Sequence, residues 1–203
     1  MVLKWNGHSC FTLETSQGSV VFDPYEDGSV PGLAPLHLSA DVVLCSHDHR
    51  DHNAKQVVAL TGRTPSFQVE TLSTYHDPVQ GTLRGPNTIH IISTEGMRLI
   101  HLGDLGCPLT PEQEARLEGA DVLLVPVGGY YTIDASQAQA LVQSLAPRIV
   151  VPMHYRSDSF GYDVIAPLAD FLALRGDVVR YSSNTLELTP DTPSQTAVLT
   201  YLP

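Results

Sequence analysis

Four residues of types that commonly bind metal ions stand within one short segment of this chain. His47, His49, Asp51 and His52 occur in SHDHRDHN, directly after the apolar run DVVLC. In an extended segment, residues two apart point the same way, so the imidazoles of His47 and His49 can converge. Three imidazoles and a carboxylate form a donor set that suits Zn, Fe, Ni or Mn. The alternative to a metal site is a solvated loop, but such a loop would not require four residues of metal-binding types within six positions.

The composition is that of a globular protein with an acidic surface. Of the 203 residues, 42% are hydrophobic and 16% are charged, which allows a sizeable core and excludes disorder. The net charge of −11 makes nucleic acid and anionic membrane surfaces poor partners. No apolar run reaches the length of a membrane span, and MVLKWNGHSC does not resemble a signal peptide.

The cysteines argue for a reducing compartment. Cys10, Cys45 and Cys107 are an odd number and include no C-x-x-C pair. A disulfide framework or a cysteine-rich zinc site is therefore not expected, and the sequence predicts a cytoplasmic protein in which these residues are buried as small hydrophobes.

Hairpins are predicted in the first half of the chain, and alternating strands and helices in the second. The first half is expected to contain a hairpin over 10–15 and 19–22, a loop over 24–40, a strand buried on both faces over 41–45, a helix over 51–60, and a hairpin over 88–93 and 97–102. The second half is expected to contain a helix capped by Thr110, a strand over 121–127, a helix over 134–146, a strand over 148–153, a helix from near Pro167 to Gly176, and short strands over 178–201. With no linker evident, the pattern predicts one mixed α/β domain over 1–203.

The histidine-rich segment resembles a known family signature. His47-x-His49-x-Asp51-His52 is similar to the H-x-H-x-D-H motif of the metallo-β-lactamase fold. The similarity extends over roughly Lys4 to Tyr155, and four further segments occur in the order seen in the L-ascorbate-6-phosphate lactonase-like branch. These segments are GHSCF (7–11), FDP (22–24), HLGD (101–104) and PMHY (152–155). The resemblance implies a four-layer αββα sandwich with metals in a cleft between two mixed sheets.

The resemblance also implies two metal ions. The first would be held by His47, His49 and His76, the second by Asp51, His52 and His154, and Asp104 would bridge both. Asp104 and His154 each follow a predicted strand, where loops gather. His90 competes with His76 as the remaining ligand, although it lies in the middle of a predicted strand, in TIHII.

In such a site a hydroxide between the ions would be the nucleophile, and Asp51 could both ligate and orient it. Zn is the metal expected first, with Mn, Fe and Ni as alternatives.

Six residues around the proposed ligands are further candidates for a role in the site. Asp23 either supports the histidine segment or forms a plain Asp-Pro turn. His8 either lines the pocket as a catalytic residue or lies in the core, and His101 is expected to pack beneath the site. Tyr155 could hydrogen-bond the substrate. Arg84 or Arg156 could neutralise a substrate phosphate, or either could be a solvated surface charge.

Three functions follow from this site. The first is a metal-dependent hydrolase that cleaves an ester, lactone or phosphoester of a small, anionic substrate, with a sugar-phosphate lactone favoured by the branch resemblance. The second is a diiron redox enzyme, which would need a separate electron donor because the chain has no room for a flavin domain. The third is a non-catalytic, metal-stabilised binding module. The expected partner is a small-molecule substrate, with no nucleic acid or membrane partner, and a homo-oligomer is compatible with the sequence.

Overall fold

The computed structural model describes residues 1–203, which form fourteen β-strands, three α-helices and one short 3-10 helix. The strands are β1 (Val2–Gly7), β2 (Cys10–Thr15), β3 (Gly18–Phe22), β4 (Leu38–Ala40), β5 (Val42–Leu44), β6 (Val58–Leu60), β7 (Gln68–Tyr75), β8 (Pro86–Thr94), β9 (Met97–His101), β10 (Val122–Pro126), β11 (Ile149–Met153), β12 (Val178–Arg180), β13 (Thr185–Glu187) and β14 (Gln195–Val198). The α-helices are α1 (Pro111–Leu117), α2 (Ala135–Leu145) and α3 (Leu168–Leu172), and the 3-10 helix is Lys55–Val57.

Two sheets form the body of the molecule. The five-stranded sheet has the order β13-β1-β2-β3-β5, and the seven-stranded sheet has the order β12-β14-β11-β10-β9-β8-β7. In the seven-stranded sheet, β7, β8 and β9 pair antiparallel, and the pairs from β9 through β12 are parallel. The antiparallel strands of this sheet therefore come from the half of the chain with hairpins, and the parallel strands come from the half with βα units, as the sequence predicts.

The main core lies where the two sheets face each other. Phe11 and Leu13 alternate along β2 to reach this core from the five-stranded sheet, and Val20 and Phe22 do the same from β3. All residues of β10 and β11 are buried, which is typical of central parallel strands covered on both faces. The mixed α/β sandwich of the metallo-β-lactamase fold is confirmed.

The outer face of the five-stranded sheet is covered without an α-helix. Cys10 and Val21 point away from the main core into a second apolar cluster. Tyr25, Val30 and Leu33 of the following loop close over them, together with residues of the two-stranded sheet formed by β4 and β6. The three α-helices α1, α2 and α3 contribute instead to the main core.

The predicted helix over 51–60 is wrong. The backbone N–H of His52 and that of Asn53 both donate to the carbonyl of His49, and the N–H of Ala54 then donates to Pro24, outside the segment. A continuous helical ladder cannot form with that bond made elsewhere. After one turn of 3-10 helix, the chain extends as β6 and pairs parallel with β4.

Other boundaries differ from prediction in smaller ways. The strand expected over 41–45 is the half-buried edge strand β5, not one buried on both faces. The helix expected from Pro167 to Gly176 is present but ends at Leu172, where i→i+3 turns replace it. Both hairpins, both capped helices and the strands over 121–127 and 148–153 are confirmed.

None of the helices has the length and apolar character that crossing a bilayer requires.

Helix α2 begins at a reciprocal capping arrangement. The Asp134 side chain accepts a hydrogen bond from the backbone N–H of Gln137 at 2.9 Å, and the Gln137 side chain accepts one from the N–H of Asp134 at 3.0 Å. Two N–H groups that the helix leaves without partners are thereby satisfied.

Asp134→Ala should lower the free energy of unfolding by about 1 kcal/mol, because the backbone N–H of Gln137 loses its acceptor. Gln143→Ala, on the exposed face of the same helix, is the matched control and should change it by less than about 0.5 kcal/mol. Urea unfolding of both variants measures the difference, and equal values would contradict the capping role.

Candidate metal centre

Strand ends from both sheets bring the predicted ligands to one edge of the sandwich. His76 directly follows β7, and His154 directly follows β11. The segment His47–His52 follows β5, and Asp104 lies just beyond β9. Since loops after strands meet at one edge, side chains far apart in sequence converge there.

Asp104 is the centre of the cluster. Its Oδ2 lies 3.2 Å from Nε2 of His52, 3.2 Å from Nε2 of His154 and 3.4 Å from Nε2 of His76. Asp51 Oδ2 lies 3.6 Å from Nε2 of His52. The structure thus surrounds one buried carboxylate with three imidazoles.

The possible ligand atoms form overlapping groups, and within each group they lie within 4.8 Å of one another. One group is His47, His49 and His76; another is His8, Asp51, His52 and His154; a third is His47, His52 and Asp104. The structure thus brings together all seven residues that the sequence proposes as ligands, and His8 with them.

His76, not His90, is the histidine that joins this cluster. His90 lies in β8 opposite His101 and is buried beside Phe22, with ring centroids 6.3 Å apart. His101 packs beneath the site as expected. Its Nε2 donates to the carbonyl of Ser9 at 2.9 Å, and its Nδ1 accepts the N–H of Gly103 at 3.0 Å.

Two histidines are oriented by what their Nδ1 atoms contact. Nδ1 of His52 donates to Asp23 at 2.8 Å, and Nδ1 of His47 lies 2.9 Å from the hydroxyl of Ser46. In both rings Nε2 is buried without a hydrogen-bond partner. Such support through the other ring nitrogen is typical of metal-binding histidines.

The unpartnered atoms show that the cluster fits a metal ion. Besides those two nitrogens, Oδ1 of Asp104 is buried without a partner. A buried polar atom left unpaired costs about 1–3 kcal/mol, so several at one point require a compensating ligand. Imidazole nitrogens and carboxylate oxygens are donors that divalent transition metals accept.

Asp23 supports the histidine segment, which decides between its two interpretations. It is fully buried. Its Oδ1 accepts the N–H of Ser46 at 2.6 Å, and its Oδ2 accepts the Ser46 hydroxyl at 2.6 Å and Nδ1 of His52. Burial alone would raise the pKa of Asp23, but the neighbouring His101 and His52 hold it well below its usual range. The residue is therefore a charged acceptor.

Asn87 positions Asp104 and was not found from the sequence. Its Oδ1 accepts the N–H of Asp104 at 3.0 Å, and its Nδ2 donates to the carbonyl of Leu102 at 3.0 Å. A Cβ on Gly103 would lie 2.4 Å from Oδ1 of Asn87 and 2.5 Å from Cβ of Ser46, so only glycine lets this turn approach both. The one signal in the sequence is a polar amide at the start of an apolar strand.

The charges of the cluster are set by burial and by mutual contacts. Burial lowers the pKa of His47 to about 3, so its ring is neutral at neutral pH. Burial would lower the pKa of His52 too, but Asp104 and Asp51 raise it well above its usual value. The pKa of Asp51 lies below its usual range despite burial, because of His52 and His8.

A cleft of about 250 Å³ opens onto this cluster. It is lined by His49, Asp51, His76, Arg84, Asp104, Tyr131, His154 and Tyr162. The Arg84 guanidinium lies 5.4 Å from the ring centroid of Tyr131 at the wall of the cleft. The hydroxyl of Tyr162 contacts the carbonyl of Ser29 at 2.8 Å and Oδ2 of Asp51 at 3.1 Å.

Two residues expected at the cleft lie elsewhere. Tyr155 is buried in the main core, with its ring centroid 5.6 Å from Trp5 and 6.0 Å from Phe160, because the residue after His154 turns back between the sheets. Arg156 does not line the cleft, and its Nε donates to the carbonyl of Ile165 at 2.9 Å. Tyr162 and Tyr131, which the sequence did not single out, supply the aromatic wall instead.

Asp23→Ala should lower the free energy of unfolding by about 3–5 kcal/mol, because it leaves the N–H of Ser46 and Nδ1 of His52 buried without an acceptor. Asp27→Ala, on the exposed part of the next loop, should change it by less than about 0.5 kcal/mol. Unfolding in urea with excess chelator isolates the effect on the polypeptide. A change of under 1 kcal/mol at Asp23 would contradict the supporting role.

Comparison with known proteins agrees with this geometry. Residues 2–154 match the model of the beta-lactamase superfamily domain. A UPF0173 metal-dependent hydrolase of Thermoplasma acidophilum is 28% identical, covering 87% of this chain and 92% of the relative. Another, from Caldivirga maquilingensis, is 30% identical, covering 76% of this chain and 82% of the relative.

Among solved structures, a Thermotoga maritima protein described as a candidate Zn-dependent hydrolase of the metallo-β-lactamase superfamily is 32% identical. It superimposes with a TM-score of 0.76, covering 98% of this chain and 96% of that one. The matches to the superfamily domain, to the UPF0173 relatives and to this structure lead to one conclusion. The chain belongs to the UPF0173 family of metal-dependent hydrolases within the metallo-β-lactamase superfamily.

Proposed function

We propose that the cleft holds two divalent metal ions and hydrolyses an ester, lactone or phosphoester bond in a small, anionic substrate. The observation that carries the proposal is the position of Asp104, whose Oδ2 lies within 3.4 Å of His52, His76 and His154 at once. His47, His49 and His76 would hold one ion, and Asp51, His52 and His154 the other, with Asp104 shared. Zn is the ion we assign first; Mn, Fe and Ni suit the same donors.

The ions would supply Lewis acidity and an activated water, which removes the need for a serine or cysteine nucleophile. The residues of this chain supply the orientation. Asp23 and Ser46 fix the rings of His52 and His47 through their Nδ1 atoms, which leaves Nε2 of each ring facing the cluster. Asn87 fixes the backbone of Asp104. The ligand positions are therefore set before any ion arrives.

Asp51 and Tyr162 are the groups that bridge the ligand cluster and the open cleft. Asp51 is partly exposed. It would act both as a metal ligand and as the carboxylate that orients the hydroxide. Burial raises the pKa of the Tyr162 hydroxyl above its usual value, so it stays protonated and can donate a hydrogen bond. In the cleft it is the donor closest to Asp51, at 3.1 Å, and it takes the role that the sequence gave to Tyr155.

The substrate class is proposed from charge. The chain as a whole carries −11, yet distant surface charges are screened beyond about 8 Å at physiological salt. Within the cleft, two divalent ions would bring four positive charges against three negative ones, from Asp51, Asp104 and the hydroxide, which leaves about one positive charge. Arg84 adds one more at the wall. A phosphorylated substrate such as a sugar-phosphate lactone, the class favoured by the branch resemblance, would suit this field.

Hydrolysis of phosphodiesters, phosphomonoesters and lactones by the purified protein, with Zn or Mn restored after chelation, tests the proposed activity. Turnover that is lost on chelation and restored by metal supports it. Elemental analysis that finds iron with visible absorption, and no hydrolysis of any of the three classes, would favour the redox alternative.

Asp104→Ala should empty both metal positions, whereas His154→Ala should empty mainly one. The shared carboxylate contacts ligands of both ions, and its loss also leaves two cationic centres less neutralised. Metal content of the two variants after identical gel filtration measures the difference. Loss of one ion from each variant would contradict the bridging role of Asp104.

Arg84→Ala should raise KM for phosphorylated substrates about 10–100-fold and leave KM for neutral esters nearly unchanged, because one charge-assisted hydrogen bond is worth about 1.5–3 kcal/mol. Arg156→Ala is the matched control, since this arginine does not line the cleft and its Nε donates to the carbonyl of Ile165. Inorganic phosphate should inhibit the wild-type protein competitively. If millimolar phosphate does not inhibit and both variants behave alike, the substrate is not anionic.

A further inference from the structure

His8 occupies a constrained position at the turn between β1 and β2. Its backbone φ is +51°, a left-handed conformation that is uncommon for residues other than glycine. The carbonyl of His8 accepts the indole N–H of Trp5 at 3.0 Å and the backbone N–H of His154 at 3.5 Å. Unfavourable backbone conformations persist where the surrounding structure holds them, and they cluster at functional sites.

The His8 ring is buried and has no hydrogen-bond partner. The residue is 1% exposed, and neither Nδ1 nor Nε2 makes a hydrogen bond. Nε2 lies 3.4 Å from Oδ2 of Asp51, and the ring centroid is 4.2 Å from that of His154 and 5.3 Å from that of His52. The ring therefore lies among three of the ligands proposed for the second ion.

Unpartnered nitrogens alone do not mark a ligand, and His90 shows why. Both of its ring nitrogens are also buried without a partner. However, His90 belongs to none of the groups of converging ligand atoms, whereas a ligand atom of His8 lies within 4.8 Å of those of Asp51, His52 and His154. The combination of a free nitrogen and converging donors distinguishes His8.

We propose that His8 is a protein ligand of the second metal ion, an inference that rests on the proposed function. The second ion would then have Asp51, His52, His154 and His8 as donors in addition to the shared Asp104. With the shared Asp104 counted, the second ion would have five protein donors and the first would have four. The second ion would therefore be held more tightly, and the first, with His49 exposed among its donors, would exchange more readily.

Glutamine and glutamate at position 8 form a matched pair for the test. Both side chains carry the same backbone strain and have nearly the same shape, but only the carboxylate is a good metal ligand. His8→Gln should weaken binding of the second Zn²⁺ at least about 10-fold, whereas His8→Glu should retain it. His90→Gln is the control for loss of a buried, unpartnered imidazole and should bind both ions as the wild type does.

The measurement is Zn²⁺ content per chain across a series of chelator concentrations. Retention of both ions by His8→Gln with wild-type affinity would overturn the inference, as would equal losses from His8→Gln and His8→Glu. Absence of Zn²⁺ and other divalent ions from the wild-type protein would instead overturn the proposed function itself, so the two failures are distinguishable.

A second measurement needs no variant and therefore does not depend on how well one folds. In histidine ¹⁵N spectra of the wild-type protein, Nε2 of His8 should shift to the position of a metal-bound nitrogen as the first equivalent of Zn²⁺ is added. His90 should not shift. A His8 resonance that stays unchanged through two equivalents would overturn the assignment.

Discussion

The buried carboxylate of Asp23 is the group on which the site depends. It ends β3 and is placed beside the loop after the neighbouring strand β5, where it accepts three hydrogen bonds from Ser46 and His52. One residue thus fixes both where the histidine segment begins and which nitrogen of His52 faces the cluster. A charged group at 0% exposure is costly unless it is fully paired. Its pairing therefore holds the histidine segment in place, and with it Nε2 of His52 at 3.2 Å from Asp104.

The site contains several buried polar atoms without hydrogen bonds, and the apolar core has to offset their cost in free energy of folding. Unpartnered nitrogens of His8, His47 and His52 lie in the same small volume as one free oxygen of Asp104. Two sheets with a continuous core of 38 buried hydrophobic residues supply the stability that allows this concentration of unpaired groups. Metal binding would give these nitrogen and oxygen atoms the bonds that the protein does not supply.

Some elements of this fold could be predicted from the local sequence, because interactions between residues close together in the chain determine them. Hairpins with alternating apolar residues and helices with capping residues follow from neighbours along the chain, as Thr110 and Asp134 show. The segment 51–60 could not be read in this way, because the N–H of Ala54 finds its acceptor in Pro24, thirty positions upstream. The strand β6 likewise exists only because β4 lies beside it.

The residues of the candidate site also differ in whether the sequence identifies them. The spacing of the histidine segment marks it in the sequence as a candidate metal site, and the family resemblance adds Asp104 and His154, whose positions after predicted strands support that assignment. Asn87, Tyr131 and Tyr162 could not be identified, since the position of each relative to the cluster is set by packing between elements far apart in the sequence. Tyr155 shows the converse: its neighbour His154 faces the cleft, yet the following side chain turns into the core. Adjacency in sequence does not imply a shared environment.

The ligands come from strand ends in both sheets, with His8 near the start of the chain and His154 beyond its middle. The first proposed ion position draws its donors from residues 47–104, whereas the second combines β1, the loop after β5 and the end of β11. On the ribosome, the donors of the first ion would all have been made before β10, but those of the second would be complete only once the nascent chain extends past β11. The second ion would therefore be acquired later in the biogenesis of this protein than the first.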